Sequence, residues 1–280
     1  MVDTQLPKNF TEKNNVILGL DEHGLFHIKI NRPEKMNALY KGMYDVIREG
    51  VDIAAKDENV RVLIIYGSNG VFCAGNDLQS FIQQEPAPIE YASQLIMKFV
   101  EFPKPLVFFV QKACVGIISA LASHADFIYC SDDAFFLLPF MQTNLCPEGL
   151  SSIKYPELVG RRKASEMIFC DHQLKAKEAL QYGFINAIIP KDQIPKTEPL
   201  LTEIEKIPNL KKLLSQDPKT VQNAKKLLIE GQNLPFMREH NMREQTIFYD
   251  CQLDPKFKET MKKYAAASLS SQKQKERPKL

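Results

Sequence analysis

Closely spaced cysteine pairs are absent from this 280-residue sequence. Its six cysteines lie far apart inside apolar segments, and none forms a CxxC pair: Cys73, Cys114, Cys130, Cys146, Cys170 and Cys251. The five histidines are scattered as well, and no Ser or Cys motif accompanies them. We therefore expect neither a metal site, a disulfide framework nor a catalytic triad, and a reducing compartment fits this cysteine usage.

Long uncharged apolar runs and an excess of charge of one sign are also missing. No run approaches the roughly 18 residues that a membrane span needs. The first residues, Met1 to Gln5, resemble neither a signal peptide nor a transit peptide. The 36 Lys and Arg residues nearly balance the 34 Asp and Glu residues, which argues against a nucleic-acid partner. We expect a protein that is not secreted, does not span a membrane and binds a small molecule.

The composition is that of a folded chain, with 44% apolar and 25% charged residues. Apolar β-branched segments alternate with segments of helical periodicity, which predicts an α/β core over residues 1–195. The pattern then becomes almost wholly helical. It predicts a helical subdomain over residues 196–267 that covers the active site or packs on a neighbouring subunit. Residues 268–280 are polar and basic, and we expect them to form a flexible tail.

The patterns also predict individual elements. The predicted strands are Val16–Leu20, Gly24–Ile30, Val62–Tyr66, Leu106–Val110, Phe127–Cys130, Phe135–Leu138 and Phe184–Ile189. The predicted helices of the core are Leu39–Ala55, Ile89–Val100, Ile117–His124, Gly149–Leu158, Lys163–Phe169 and Ala176–Tyr182. Those of the C-terminal part are Thr197–Lys206, Pro218–Glu230, Phe236–Cys251 and Pro255–Ala266.

Two glycine-containing turns follow predicted strands. The run Phe72–Asp77 lets the backbone come close to a ligand, so that its free N–H groups can point at an oxygen. The run Ala113–Ala120 places Gly116 at the start of a helix, where backbone donors and the helix dipole favour an anion or a polarised carbonyl. Simpler interpretations remain open: Asp77 can cap the next helix, and the small residues of the second run can serve close packing.

A single carboxylate, Glu148, lies in the apolar run Leu145–Leu150. A poorly solvated carboxylate has a raised pKa, which suits a proton-shuttling base near neutral pH. The alternative is a glutamate at a helix N-terminus that only interacts with the helix dipole.

Together these motifs resemble the crotonase (enoyl-CoA hydratase/isomerase) superfamily. Asn31–Leu39 matches its Asn-Arg-Pro…Asn-Ala-Leu loop, Phe72–Asp77 its Phe-x-x-Gly-x-Asp turn, and Val115–Ala120 its second, helix-opening turn. The resemblance implies a spiral of ββα units with a C-terminal α-helical region and a homotrimer or hexamer. It also implies that the amides of Asn76 and Ile117 form an oxyanion hole for the thioester oxygen of an acyl-CoA.

The departures from the family pattern narrow the chemistry. Hydratases carry two glutamates where this chain has Ala120 and Phe140, so hydration is disfavoured. Glu148 lies where the resemblance to Δ3,Δ2-enoyl-CoA isomerases, and to their peroxisomal type, places the single catalytic glutamate. That resemblance implies that Glu148 takes a proton from C2 of a 3-enoyl-CoA and returns it at C4. It implies no cofactor, because CoA is part of the substrate, and a reaction that needs no metal.

The same resemblance implies contacts with the acyl-CoA substrate at nine further positions: Lys35, Met36, Ala38, Ala74, Gly75, Asp77, Leu78, Gly116 and Phe140. Lys211-Lys212 and Lys225-Lys226 are interpreted as solvated helix faces, with binding of CoA phosphates as the alternative. Two rival functions stay open. One is another crotonase chemistry, such as a dienoyl-CoA isomerase, a hydratase or a thioester hydrolase. The other is a catalytically silent acyl-CoA-binding protein, which the pair Gln111-Lys112, in place of the usual Asn-Gly, supports.

The last three residues, Pro278, Lys279 and Leu280, resemble the Ser-Lys-Leu peroxisomal address and differ from it at the first position. We expect recognition by a peroxisomal import receptor and a peroxisomal location. A chance basic tail, with a cytosolic or mitochondrial location, is the alternative.

Overall fold

The computed structural model describes residues 6–195 and 200–275. Within these residues the strands are β1 Phe10–Lys13, β2 Val16–Leu20, β3 Leu25–Ile30, β4 Val62–Gly67, β5 Leu106–Val110, β6 Ala113–Val115, β7 Phe127–Ser131, β8 Phe135–Leu137, β9 Leu174–Lys175 and β10 Ala187–Ile189. The α-helices are α1 Lys41–Lys56, α2 Leu78–Gln83, α3 Ile89–Val100, α4 Ile117–Ala122, α5 Ser151–Phe169, α6 Ala176–Gln181, α7 Leu210–Ser215, α8 Pro218–Glu230, α9 Leu234–Leu253 and α10 Pro255–Lys275. The α/β prediction is confirmed.

The large sheet has the strand order β1-β2-β3-β4-β5-β7-β10. Strands β1 to β3 pair antiparallel, and the pairs from β3 to β10 are parallel. Every residue of β4 and β5 is buried. This burial on both faces explains why the runs Val62–Gly67 and Leu106–Val110 are almost continuously apolar, since parallel strands are covered by other elements on both sides.

The two faces of this sheet support two separate hydrophobic clusters. Leu63 and Ile65 of β4 face the main cluster, which contains the buried sides of α1, α3 and α4. Their neighbours Val62, Ile64 and Tyr66 face the other way and contact a smaller cluster formed with residues 201–214. The alternation is that of a pleated strand. The segment that follows residue 200 therefore covers the back of the core sheet.

A second, small sheet carries the strands that lead into the site. Its order is β6-β8-β9, with β6 and β8 parallel. A single parallel bridge between Cys73 and Cys114 joins this small sheet to the first turn. Another, between Leu39 and Asn76, joins the first turn to the loop before α1. The two predicted turns therefore lie side by side in space.

Several predicted elements differ from those observed. The predicted helix Thr197–Lys206 is wrong where the structure describes it, because only a 3-10 turn at Ile204–Lys206 is present; residues 196–199 lie outside the described residues. Two predicted helices join into α5, with non-helical φ and ψ at Gly160. Helix α10 continues to Lys275, so residues 268–275 of the predicted tail are helical. No proline and no glycine interrupts this stretch.

Within the residues described, none of the helices combines the length and the apolar character that a transmembrane helix requires. The predicted division into domains at residues 195 and 267 stays a prediction.

Candidate active site

A cavity of about 640 Å³ opens between the first turn, α1, α3 and α9. Its walls include Asn76, Ile117 and Glu148, the three residues predicted to carry the chemistry. Most of the remaining wall is apolar and aromatic, with Tyr44 from α1 and Phe248 from α9 among its members. A concave, mostly apolar site with a few convergent polar groups is the usual form of a small-molecule site.

The first turn is fixed by backbone hydrogen bonds on both sides. Leu39 donates its N–H to Gly75 O at 2.8 Å, and Asp77 donates its N–H to Leu39 O at 2.7 Å. Cys73 donates its N–H to Ala113 O at 2.8 Å. The N–H of Asn76, between these bonds, has no acceptor among the described residues. It is free to donate to a ligand in the cavity.

The second turn exposes a comparable donor. Gly116 donates its N–H to Leu137 O at 2.8 Å and has a φ of +68°. Helix α4 begins at the next residue, Ile117, whose N–H likewise lacks an acceptor in the part of the chain that the structure describes. Lys112, one of the two departures before this turn, adopts a φ of +59°, in the left-handed region that glycine favours. The turn thus forms although its usual glycine is absent.

The Asn-Arg-Pro…Asn-Ala-Leu loop acts as a scaffold for the first turn. Asn37 is fully buried; its Nδ2 donates to Ser68 O at 3.0 Å and to Val71 O at 2.6 Å, and its Oδ1 accepts from Arg32 N at 2.8 Å. Arg32 Nη1 then donates to Asp77 Oδ2 at 2.8 Å. The motif residues therefore fix the position of the turn through structural bonds.

Asp77 has the structural role that the simpler interpretation assigned to it. Its Oδ1 accepts from Ser80 N at 3.0 Å and caps α2. Burial raises the pKa of Asp77, but the bonds from Ser80 and Arg32 outweigh this and leave the pKa below its usual range. Asp77 also lines the cavity, and we interpret its main contribution as holding Asn76 in place.

Glu148 is a buried carboxyl group of the cavity wall whose pKa is raised. Its side chain is 9% exposed and has no hydrogen-bond partner among the described residues. Burial, and secondly the negative charge of Glu244, raise its pKa to about 8. A carboxylate in this state is close to protonation equilibrium near neutral pH, which is what proton transfer requires. Glu148 precedes α5 by three residues, so a dipole interaction alone does not account for its environment.

Ala120 occupies the place of the second glutamate of hydratases and lies against the Glu148 loop. It is completely buried, and a Cβ on Gly149 would lie only 2.7 Å from the Ala120 Cβ. There is consequently no room for a larger side chain at residue 120 without a shift of this loop.

Three residues near the site have no signal in the local sequence. Tyr44 donates its OH to Asn76 Oδ1 at 2.5 Å. His124 Nε2 lies 2.9 Å from Gly149 O, and Glu244 Oε2 accepts from Leu150 N at 2.7 Å. The contacting residues are too far apart in the sequence for any local pattern to indicate these contacts. Tyr44 does come directly after Met43, which lies on the buried face of α1.

Most of the residues predicted to contact substrate do not line the cavity. Of the nine, only Asp77 belongs to its wall; Lys35, Met36, Ala38, Ala74, Gly75, Leu78, Gly116 and Phe140 do not. Phe140 is 3% exposed and packs in the main hydrophobic cluster, and its contact with substrate stays a prediction. The interpretation of Lys225 as a solvated residue is wrong, since it is buried and pairs with Asp126 at 2.7 Å.

The arrangement has the parts for enolate chemistry. Two free amides can polarise a carbonyl, and a carboxyl group with a pKa near neutral can take and return a proton. Among the residues described, no group of three or more His, Cys, Asp and Glu side chains lies where it could hold a metal ion.

Known proteins resemble the chain over most of its described length. The sequence profile of the enoyl-CoA hydratase/isomerase family matches residues 21–272. "Enoyl-CoA delta isomerase 2" of Homo sapiens is 32% identical over 183 residues, which are 62% of this chain and 46% of that protein. "Enoyl-CoA delta isomerase 3, peroxisomal" of Mus musculus is 33% identical over 182 residues, 62% of this chain and 57% of that protein. The chain thus spans about half the length of these curated relatives.

A solved structure agrees with the fold. The crystal structure titled as a putative enoyl-CoA hydratase/isomerase from Acinetobacter baumannii superposes with a TM-score of 0.78 at 27% sequence identity, covering 91% of this chain and all of that one. The predicted crotonase-like architecture is therefore confirmed, and the chain belongs to the enoyl-CoA hydratase/isomerase family.

Proposed function

We propose that the protein is a Δ3,Δ2-enoyl-CoA isomerase, which converts cis- or trans-3-enoyl-CoA thioesters to trans-2-enoyl-CoA in the oxidation of unsaturated fatty acids. The observation that carries the proposal is the buried carboxyl group of Glu148, with no hydrogen-bond partner among the described residues and a pKa of about 8, in a cavity with two unpartnered amides. Ala120, at the second glutamate position of hydratases, supports a one-base reaction.

The proposed reaction moves one proton and one double bond. The amides of Asn76 and Ile117 donate to the thioester oxygen, and Glu148 takes a proton from C2. The electrons of that C–H bond form a dienolate, whose negative charge rests on the oxygen between the two amides. Glu148, now protonated, returns the proton at C4, and the double bond is left between C2 and C3. One oxyanion-hole donor typically contributes about 10²–10³ in rate.

The test uses purified protein and trans-3-hexenoyl-CoA, with the conjugated 2-enoyl thioester followed by its absorbance. Wild type is expected to be active, and Glu148→Gln is expected to lose several orders of magnitude. Glu259→Gln is the matched control, because its carboxylate is exposed and pairs only with Lys263. If wild type is inactive on 3-enoyl thioesters of several chain lengths, or if Glu148→Gln keeps its rate, the proposal is wrong.

The rival functions predict different signals in parallel assays. A hydratase removes the conjugated absorbance of a 2-enoyl-CoA, a dienoyl isomerase acts on a 3,5-dienoyl-CoA, and a hydrolase releases free CoA thiol. A silent binding protein gives none of these but still binds a saturated acyl-CoA in calorimetry.

A peroxisomal location and a homotrimeric or hexameric assembly complete the proposal. The name of the mouse relative, which includes the word peroxisomal, supports the location. The predicted signal Pro278, Lys279 and Leu280 lies outside the described residues. Microscopy of an N-terminally labelled chain, with and without these three residues, tests the location. Light scattering on the purified protein tests the assembly.

A further inference from the structure

The backbone that carries Glu148 is unusual and needs support. Gly149 and Leu150, which follow it directly, both have positive φ, +69° and +60°. A positive φ is strained for a leucine, and such a conformation persists only where the surroundings impose it. Leu150 is also the residue before α5, and its side chain provides no cap for this helix. Contacts from elsewhere must hold this segment.

One of these contacts comes from the C-terminal helix α9. Glu244 Oε2 accepts from Leu150 N at 2.7 Å, and Oε1 accepts from Ser152 N at 3.2 Å and from the Ser152 hydroxyl. The Ser152 hydroxyl also lies 2.8 Å from His240 Nε2. Glu244 therefore supplies, from a distant part of the sequence, the cap that α5 lacks.

The second contact comes from the opposite side. His124, at the end of α4, lies with Nε2 at 2.9 Å from Gly149 O. Because a carbonyl oxygen only accepts, Nε2 carries the proton and donates. Burial lowers the pKa of His124 to about 4, so the ring is neutral at physiological pH. The peptide unit between Gly149 and Leu150 is thus held at both ends, by a donor at its carbonyl oxygen and by an acceptor at its N–H.

A buried carboxylate is a costly way to cap a helix. Glu244 is 5% exposed, and the basic side chain within 4 Å of its carboxylate, among the described residues, is the imidazole of His240, at 3.8 Å. A neutral serine or asparagine at the cap position would satisfy the Ser152 N–H without burying a charge, but not the N–H of residue 150 itself. The Glu244 carboxylate accepts from both and differs from a neutral cap in its charge.

We infer that Glu244 is a positioning residue for Glu148: its carboxylate, through its hydrogen bonds to Leu150 and Ser152, fixes the loop that aims the base at the substrate. The inference rests on the proposed function, in which Glu148 is the base. Burial raises the pKa of Glu244, while its hydrogen bonds from Leu150 and Ser152 favour the ionised form. The charge of that form raises the pKa of Glu148 in turn. The other titratable groups that face these two carboxyls are Tyr44 of α1, Cys146 of the loop and His240 of α9.

Two substitutions separate the effect of position from that of charge. Glu244→Gln removes the charge and one acceptor. We expect kcat to fall about tenfold to a hundredfold, with KM nearly unchanged, and the acidic limb of the pH profile of kcat to move to lower pH. Ser152→Ala keeps the carboxylate, so kcat should fall less and the pH profile should stay in place. Arg238→Ala, which removes the contact of α9 with Glu101 but not with the loop, is the control and should change neither.

Two measurements need no turnover. In wild type and Glu244→Gln, carboxyl ¹³C NMR follows the titration of Glu148, and hydrogen exchange follows the Leu150 and Ser152 amides. We expect a lower pKa for Glu148 and faster exchange in Glu244→Gln. If the pKa of Glu148 and the exchange of the two amides are unchanged, or if kcat and its pH profile match wild type, the inference is wrong. If both change while wild type isomerises no 3-enoyl thioester, the inference on the base stands and the proposed reaction fails.

Discussion

Replacing Gly149 with alanine should damage both the stability of the protein and its catalysis. A left-handed backbone costs a non-glycine residue about 1–2 kcal/mol, and Gly149 has a φ of +69°. Its added Cβ would meet the Ala120 Cβ at 2.7 Å and the Ile117 Cδ1 at 3.2 Å. Overpacking of this kind costs about 1–3 kcal/mol more. We expect the free energy of unfolding to fall by about 2–5 kcal/mol in total.

Denaturant unfolding measures this loss, and Gly183→Ala is the matched control. Gly183 also has a positive φ, +73°, but a Cβ there would meet nothing within 4 Å. Only the backbone cost of about 1–2 kcal/mol should therefore remain. The double variant Gly149→Ala/Ala120→Gly should recover part of the additional loss, which a double-mutant cycle isolates. If Gly149→Ala costs no more than Gly183→Ala, the close approach of the loop to α4 is not as described.

The same substitution should also reduce kcat. The clash pushes the loop away from α4 and therefore moves Glu148 relative to the amide of Ile117. A displacement of about 1 Å can cost about 10²-fold in rate. Initial rates on trans-3-hexenoyl-CoA measure this effect. They are taken without denaturant, at a temperature where circular dichroism shows the variant to be folded. An unchanged kcat in a folded, destabilised variant would contradict the link between loop position and catalysis.

Three further predictions concern protonation and the first turn. The pKa of Glu148 is about 8 and the base must be ionised, so kcat should rise with pH and level off above that value; a rate independent of pH from 6 to 9 contradicts this. Folding raises the pKa of Glu148 from 4.5 to about 8. The stabilisation that comes from the protonated Glu148 is therefore complete below pH 4.5 and is lost as the pH rises to 8. In urea titrations, Glu148→Gln should be more stable than wild type at pH 9 by up to about 5 kcal/mol, but not at pH 4. Asp77→Ala should lower the free energy of unfolding by about 1–3 kcal/mol, since it removes a helix cap and the buried ion pair with Arg32. Calorimetry with Tyr44→Phe, expected to lose about 1 kcal/mol with the bond to Asn76, gives the comparison.

The sequence predicts the central strands well because burial on both faces leaves a local pattern. The segments Val62–Gly67 and Leu106–Val110 are apolar at nearly every position, and the structure places both in the middle of the large sheet. Edge elements have no such pattern. Strand β1, Phe10–Lys13, has one buried residue and three exposed ones, and its extended form depends on pairing with β2.

The site divides in the same way. The resemblance of the turn motifs to the crotonase superfamily implied that Asn76, Ile117 and Glu148 share one site, and all three line the cavity, whereas their chemical roles stay predictions. The contacts of Glu244 and His124 with the Glu148 loop depend on how helices α9 and α4 pack, and no short sequence pattern encodes that packing. The role of Phe140 cannot be decided from the sequence either, because an aromatic residue in an apolar loop has the same local pattern whether it faces a ligand or the core.

The free donors at Asn76 and Ile117 belong to the main chain, whereas the proposed base is one side chain. A point mutation can therefore delete the base without removing either donor. A relative of this protein could lose turnover through a single codon and still recognise the same thioesters. Ligand binding alone is for this reason a poor marker of activity in such a scaffold, and the residue at position 148 is the more informative one to inspect.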